Sequence, residues 1–309
     1  MNACPLSLRE LAPGESLDRD AAVRLFGVAQ LPSIDVELAK LHTVALAMIG
    51  TTTLSGAQRK LSVGLDTARM TLRVSAAGRQ FILKPPTDRF AHLPANEHVT
   101  MRLAALAGLT VPEHGLLPLA DGTLAYLVAR FDRPLDGGKL AVEDFCSLAL
   151  RHPANKYSGS AELCARIVRR FASEPALALR DLFRQVLFAW WTGNGDLHLK
   201  NLALWRDREG QVGLSPAFDL VNTRLLLPAD RLALTIGGKS DHLTIGDWRK
   251  FAAYCGLAPR VAADAALSIA EASLEAPALI ARSFLPEADK AAYVALLAER
   301  GQVVSALVQ

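Results

Sequence analysis

The chain has 309 residues, of which 51% are hydrophobic and 21% charged. This composition excludes a disordered chain and is sufficient for one large domain or two lobes. The formal net charge is only +3, so charge gives no case for direct nucleic-acid binding.

The four cysteines are far apart and lack CxxC spacing, so the sequence predicts neither a zinc site nor a disulfide framework. No apolar stretch long enough to span a membrane is free of charged residues, and the first residues do not resemble a signal peptide. We therefore expect a soluble, reduced, cytoplasmic protein without membrane contact.

The first part of the chain is strand-rich. Residues 1–34 are rich in turn-forming residues and have no assigned role, and residues 35–48 show helical spacing. Strands are predicted on both sides of a glycine turn within 51–66, and alternation at 70–75 and 80–84 predicts a hairpin. Asn96 is predicted to cap a helix that stops at Gly108. Two further strands, in 111–119 and 123–133, are predicted to meet at a turn formed by Asp121 and Gly122.

From about residue 141 helical patterns dominate, at 142–150, 161–172 and 175–191, and two more helices are predicted in the last 50 residues. Short strands are predicted at 201–205, 211–215 and 232–236. The sequence therefore predicts an α+β fold with a strand-rich lobe at 35–135 and a mainly helical lobe at 136–309. The boundary is expected near Arg130–Leu140.

The most informative segment is GNGDLHLKNLALW (193–205). Asp196 and Asn201 have the D-x-x-x-x-N spacing of a kinase catalytic loop, in which the Asp accepts the substrate hydroxyl proton and the Asn holds magnesium. Asp219, in LSPAFDLVN, is placed to be the second magnesium ligand, because magnesium prefers oxygen ligands.

Upstream residues add what phosphoryl transfer needs. Lys84 ends an apolar strand, where a kinase has its phosphate-binding lysine, and Glu97 follows in a position to orient it. The segment SGAQRK (55–60) supplies a glycine and two basic residues before both. Taken singly, Lys84 also fits an exposed strand-end lysine, Glu97 a helix-dipole partner and His198 a structural histidine. The order of the whole set favours a two-lobed kinase.

The segments TLSGAQRKLSV, FILKP, ANEH, LVARFDR, EDFC, NKY, GNGDLHLKNLAL, LSPAFDLVNT and LALTIGGK together resemble the HipA-like serine/threonine kinases of bacterial toxin–antitoxin modules. The resemblance runs from about residue 50 to 240. It implies a two-lobed protein-kinase-like fold that uses ATP and Mg²⁺, with Asp196 as the catalytic residue and Asn201 and Asp219 as metal ligands. It implies nucleotide contacts for Ser55, Gly56, Ala57, Gln58, Arg59, Lys60, Lys84, Ala129, Arg130, Phe131, His198, Leu199, Lys200, Asn201 and Asp219.

The same resemblance implies autophosphorylation in the glycine-containing loop, at Thr53 or Ser55, and adenine recognition through the backbone of Ala129–Phe131. It implies a protein substrate such as an aminoacyl-tRNA synthetase and a helix-turn-helix antitoxin. Because only about 50 residues precede the loop, the chain looks like the short form, in which a small separate protein can supply the missing N-terminal subdomain. Ala129 stands where the family often has Glu, and Val142 where a polar residue can help to hold nucleotide.

Two alternatives stay open. Small-molecule phosphotransferases of the aminoglycoside or choline type share the G-D-x-x-x-x-N loop and the downstream Asp, but Asn194 replaces their usual histidine. A catalytically silent kinase fold that acts by binding a partner is the other alternative, although every expected polar residue is present.

Overall fold

The computed structural model describes residues 3–34, 38, 60–74, 80–134 and 137–309. Contacts divide the chain into two compact units. The first contains Met1–Val99, Pro112–Lys139 and Arg282–Pro286, and the second contains Thr100–Val111, Leu140–Ala281 and Glu287–Gln309. Each unit is thus assembled from more than one segment of sequence. The helix predicted at 35–48 lies, apart from residue 38, outside the described residues.

The first unit is built on a five-stranded antiparallel sheet in the spatial order β2-β1-β3-β5-β4. Its strands are β1 (Leu61–Asp66), β2 (Thr71–Val74), β3 (Phe81–Lys84), β4 (His114–Pro118) and β5 (Leu124–Ala129). The predicted turn between β4 and β5 is confirmed, since Gly122 has a φ of 81° that a side chain would disfavour.

The predicted hairpin between β2 and β3 is wrong, because β1 lies between these two strands. Val63 of β1 pairs with Val74 on one side and with Phe81 on the other. Leu61 and Val63 are each only 1% exposed, so β1 takes an interior place in the sheet. Alternation marked the strands correctly, but it carries no information about which strands pair.

Residues 3–34, to which the sequence assigned no role, are part of the core of the first unit. Helix α1 (Arg19–Phe26) is capped by the Asp18 side chain, which accepts a hydrogen bond from the Ala21 amide. The Leu116 amide of β4 donates to the Pro5 carbonyl at 2.9 Å. The buried cluster of this unit combines these residues with the sheet, through Cys4, Leu6, Leu11, Leu25, Phe26, Leu61, Phe81, Leu83, Leu117 and Leu127.

Helix α2 (Leu93–Leu106) begins before Asn96, so the predicted cap is wrong. The Asn96 amide donates to the His92 carbonyl at 3.0 Å, as in a helix interior, and the residue is 1% exposed. Pro94 in the first turn is the better signal, because an amide there has no helical partner to lose. The predicted stop is confirmed by Gly108, with a φ of 74°.

The second unit is mainly helical. Its helices, besides the end of α2, are α3 (Phe145–Leu148), α4 (Ala161–Phe171), α5 (Pro175–Trp191), α6 (Ile245–Tyr254), α7 (Pro259–Ala281) and α8 (Glu287–Val308). Strands β6 (Val142–Asp144), β8 (Ala203–Arg206) and β9 (Val212–Leu214) form a small sheet, and β7 (Gly159–Ser160) pairs with β10 (Leu234–Thr235).

The prediction of α4 and α5 and of two C-terminal helices is confirmed. The helix predicted at 142–150 is only partly present, because β6 precedes a short helix that the Asp144 side chain caps at the Ser147 amide. Helix α6 was not predicted, although Thr244 and Asp247 form a reciprocal capping box at its start.

By length and composition alone, α8 is apolar enough to cross a membrane, which the sequence analysis did not expect. In the structure it makes specific contacts within the second unit. The Trp191 indole donates to the Leu297 carbonyl at 3.1 Å, and Arg300 donates to the Trp190 carbonyl. The Tyr293 and Thr100 hydroxyls are 2.9 Å apart. These contacts are typical of a helix packed on protein.

Candidate active site

The first unit contains a buried ion pair. Lys84 ends β3 and Glu97 lies in α2, and the Lys84 Nζ is 2.5 Å from the Glu97 Oε1. Their side chains are 3% and 1% exposed, and the ammonium also lies 5.5 Å from the centre of the Tyr126 ring. The structure therefore brings these two predicted residues together. A buried charge needs such a partner, because burial alone penalises the ionised form.

In the second unit, the loop that carries Asp196 depends on two glycines. Gly193 has a φ of 74°, and a side chain there would also press on Leu296. A Cβ on Gly195 would lie 2.5 Å from the Arg231 carbonyl, and the Gly195 amide donates to the Thr223 hydroxyl at 2.8 Å. Thr223 is in turn hydrogen-bonded to the Asp230 carboxylate. Close backbone packing thus fixes the loop where a larger residue would not fit.

The backbone of Asp196 is held from both sides. Its amide donates to the Asn194 Oδ1 at 2.9 Å, and its carbonyl accepts from the Asn201 Nδ2 at 3.0 Å and from the His198 amide at 2.8 Å. The Asp196 side chain is nevertheless 47% exposed. The D-x-x-x-x-N spacing therefore has a structural meaning, because Asn201 fixes the backbone from which the Asp196 carboxylate projects.

Tyr157 is a site residue that the sequence analysis missed. Its hydroxyl donates to the Asp196 Oδ1 at 2.7 Å, and its ring packs edge-to-face on His198 with centroids 5.0 Å apart. The segment NKY was noted as part of the resemblance, but the spacing of 39 residues between Tyr157 and Asp196 gave no reason to join them.

His198 is 5% exposed in its side chain. Burial lowers the pKa of His198, while the negative charge of Asp196 opposes that shift and Lys156 adds to it. The imidazole is therefore a neutral ring at pH 7. It forms the surface on which Tyr157 rests.

Two residues predicted to contact nucleotide have other partners. Leu199 is fully buried, and its Cγ and Cδ2 lie 2.9 Å from the place where a Cβ on Gly159 would stand. Its side chain therefore belongs to the core, and the predicted nucleotide contact at this position stays a prediction. The Lys200 Nζ donates to the Asp144 Oδ2 at 2.8 Å, which ties the loop to β6.

Asp219 has a backbone φ of 55°. Such a conformation is unfavourable for a residue with a side chain and concentrates at functional sites. The segment before it is fixed, because the Ala217 amide donates to the Thr110 carbonyl at 2.8 Å. The fold thus holds the Asp219 backbone in a conformation that an unconstrained chain would rarely adopt.

Asn201 and Asp219 have the donor chemistry that Mg²⁺ requires. Asn201 uses its Nδ2 on the Asp196 carbonyl, which leaves its Oδ1 as an oxygen ligand. Among the described residues no group of three or more His, Cys, Asp or Glu could hold a metal. Two protein oxygens nevertheless suit Mg²⁺, which usually keeps waters and binds substrate phosphates.

The predicted hinge, Ala129–Phe131, is partly engaged within the first unit. The Ala129 amide donates to the Glu113 carbonyl at 2.8 Å, and the Arg130 amide donates to the Gln80 carbonyl at 2.8 Å. Both amides are thus used at the sheet, and adenine recognition through the backbone of Ala129–Phe131 stays a prediction. The Arg130 guanidinium is also paired with Asp132, at 2.8 Å.

Most of the predicted nucleotide-covering loop, Ser55–Arg59, and the predicted autophosphorylation residue Thr53 lie outside the described residues. Lys60, the last residue of that segment, is half-buried and directly precedes β1.

Comparison with solved structures defines the class of fold. HipA of Shewanella oneidensis, solved with HipB and operator DNA, matches with a TM-score of 0.64 and 21% identity, over 83% of this chain and 64% of that one. The proinflammatory kinase CtkA of Helicobacter pylori matches with a TM-score of 0.59 and 16% identity, over 84% of this chain and 95% of that one. The protein thus has a protein-kinase-like fold, as the sequence predicted.

The family follows from sequence. The model of the HipA-like C-terminal domain matches residues 52–276, and the chain belongs to this family of kinases. Candidate kinase Y4mE of Sinorhizobium fredii is 31% identical over 66% of this chain and 51% of its own length. A candidate kinase of Haemophilus influenzae is 27% identical over 72% of this chain and 68% of its own length. The chain spans about half the length of the first of these relatives.

Proposed function

We propose that this protein is an ATP- and Mg²⁺-dependent serine/threonine protein kinase and the toxin of a toxin–antitoxin module. The observation that carries the proposal is the Asp196 carboxylate, 47% exposed on a loop whose backbone Asn201 and Asn194 hold fixed. An exposed carboxylate on a rigid loop can accept the proton of an incoming hydroxyl without moving.

In the proposed reaction the acceptor hydroxyl donates its hydrogen bond to Asp196. Its oxygen bonds to the γ-phosphorus as the bond from that phosphorus to the leaving oxygen of ADP breaks, and the hydroxyl proton passes to the Asp196 carboxylate. Lys84, held by Glu97, is the phosphate-binding cation of this proposal, and Asn201 and Asp219 would hold Mg²⁺. When bound, Mg²⁺ neutralises charge on the phosphates.

The toxin assignment rests on family membership and on the HipA neighbour, which was solved with HipB and DNA. By analogy, the partner of this chain would be a helix-turn-helix antitoxin. The target would be a translation component such as an aminoacyl-tRNA synthetase.

The test is to incubate the purified protein with Mg²⁺ and γ-labelled ATP, with and without cell extract. We expect label on one extract protein and on the chain itself, at Thr53 or Ser55 by mass spectrometry. Asp196→Ala should abolish both signals, whereas Asp264→Ala, which removes an exposed carboxylate of α7, should not.

Label on a small amine or alcohol alone would instead support a small-molecule phosphotransferase. Absence of label and of any nucleotide-induced thermal shift would support a binding module.

A further inference from the structure

The hydrogen bond from Tyr157 to Asp196 has no assigned role in the proposed reaction. At 2.7 Å it is a normal O–H···O distance, and the phenol is the donor. Burial, this hydrogen bond and the negative charges of Asp196 and Asp230 all raise the pKa of Tyr157. The hydroxyl therefore keeps its proton across the working pH range.

The catalytic loop itself holds Tyr157 in place. The Leu199 amide donates to the Lys156 carbonyl at 3.1 Å, and the Ser158 amide donates to the Asn155 carbonyl at 2.9 Å. The Tyr157 ring meets the buried His198 ring at an interplanar angle of 77°. The tyrosine is half-exposed, but its backbone and ring are fixed, which aims the hydroxyl at one carboxylate oxygen.

Neither His198 nor Lys200 supplies the hydrogen bond that Tyr157 donates to the Asp196 carboxylate. The His198 Nε2 is 3.9 Å from the Asp196 Oδ1, which is too far for a hydrogen bond, and the Lys200 ammonium is bonded to Asp144. Within the described ranges, Tyr157 is the one side chain that donates a hydrogen bond to the Asp196 carboxylate. It therefore fixes the rotation of a side chain that solvent would otherwise leave mobile.

We propose that Tyr157 is a positioning residue: its hydroxyl holds the Asp196 Oδ1 so that Oδ2 faces the acceptor hydroxyl. This inference rests on the proposed function, because it assigns Asp196 as the proton acceptor. The phenol keeps its proton throughout, and the proton of the acceptor hydroxyl passes to Oδ2. Positioning acts on the reacting geometry and not on nucleotide affinity.

The kinetic test compares Tyr157→Phe with Tyr254→Phe. The first variant keeps the ring on His198 and removes only the hydroxyl. The second removes the hydroxyl of another partly exposed tyrosine, at the end of α6. That hydroxyl accepts a hydrogen bond from Arg166 at 3.2 Å. We expect Tyr157→Phe to lower kcat about tenfold with the KM values for ATP and acceptor unchanged, since a hydrogen bond to a charged group is lost in the reacting state. Tyr254→Phe should match the wild type.

An unchanged kcat in Tyr157→Phe would overturn the inference. So would a lower KM for the acceptor with an equal or higher kcat, because that result would make the phenol a competitor of the acceptor hydroxyl.

A second measurement tests the contact between Tyr157 and Asp196 without an activity assay. The protein is labelled with 3-fluorotyrosine, which gives four fluorine signals, and the two Phe variants assign those of Tyr157 and Tyr254. Without nucleotide, Asp196→Ala should shift the signal of Tyr157 and leave that of Tyr254 in place. An unmoved Tyr157 signal would overturn the contact.

A wild type that transfers no phosphate would contradict the proposed function, and the role of Tyr157 with it. An active wild type with a fully active Tyr157→Phe would contradict this inference alone.

Discussion

Two carboxylates in this molecule each accept a short hydrogen bond, but one is buried and the other is exposed. Glu97 faces the Lys84 ammonium in the interior of the first unit, where both side chains are at most 3% exposed. Asp196 faces a neutral phenol in the second unit and is 47% exposed. A buried charge that is already neutralised is suited to hold another group in place. An exposed carboxylate with a neutral partner is suited to the part that the proposed reaction gives Asp196, the acceptance of a proton.

The largest expected effect is on the free energy of unfolding when each carboxylate is removed. Glu97→Ala leaves the Lys84 ammonium buried without its carboxylate and should lower the free energy of unfolding by about 3–5 kcal/mol. Asp196→Ala, at an exposed site, should change it by no more than about 0.5 kcal/mol. Urea unfolding of both variants measures this. Equal losses in the two variants would contradict the distinction between a supporting and a reacting carboxylate.

The second test concerns what holds Asp196 in place. If backbone packing fixes its loop, Gly195→Ala should destabilise the protein by about 1–3 kcal/mol, because the added methyl meets the Arg231 carbonyl. Gly213→Ala in β9 is the control, since the nearest atom to its Cβ, on Trp205, is 3.9 Å away. Thermal unfolding of the two variants gives the comparison, and a tolerated alanine at 195 would show that the loop can rearrange.

The smallest effect concerns the Asp247 carboxylate, which completes the capping box of α6 and is paired with Lys239. Hydrogen bonds from Thr244 and Lys239 lower the pKa of Asp247 from 3.8 to about 2. Its stabilising contribution is therefore present above pH 3.8 and is lost as the pH falls through about 2. Asp247→Asn should cost about 1 kcal/mol at pH 7. The difference from the wild type should shrink in acid, and a pH-independent difference would contradict the charge-based explanation.

The sequence predicted the parts of the site that depend on local spacing. Asp196 and Asn201 are five residues apart and share one loop, so their relation could be derived from a short segment. Lys84 and Glu97 could be paired because a strand that ends in lysine is followed by a helix with a glutamate. In each case the residue type and its neighbours along the chain carry the information.

What depended on distant contacts could not be predicted. The place of β1 between β2 and β3 depends on pairing between strands that are separate in sequence, and the residue pattern within one strand does not specify its neighbours. Leu199 lies within the loop motif but packs inward, because it begins a short 3-10 helix, Leu199–Asn201, that turns its side chain towards Gly159. Tyr157 reaches Asp196 only through the fold.

The contact between the Arg282 guanidinium and the Leu8 carbonyl, at 2.8 Å, has a practical consequence for protein production. Both residues lie outside the family match at 52–276, yet both belong to the first unit. A fragment cut at the limits of the match would strip Leu6 and Phe26 from the hydrophobic cluster and uncover the apolar side chains of the sheet. Such a fragment would be prone to aggregate, so expression of this protein should retain residues 3–34 and 282–286.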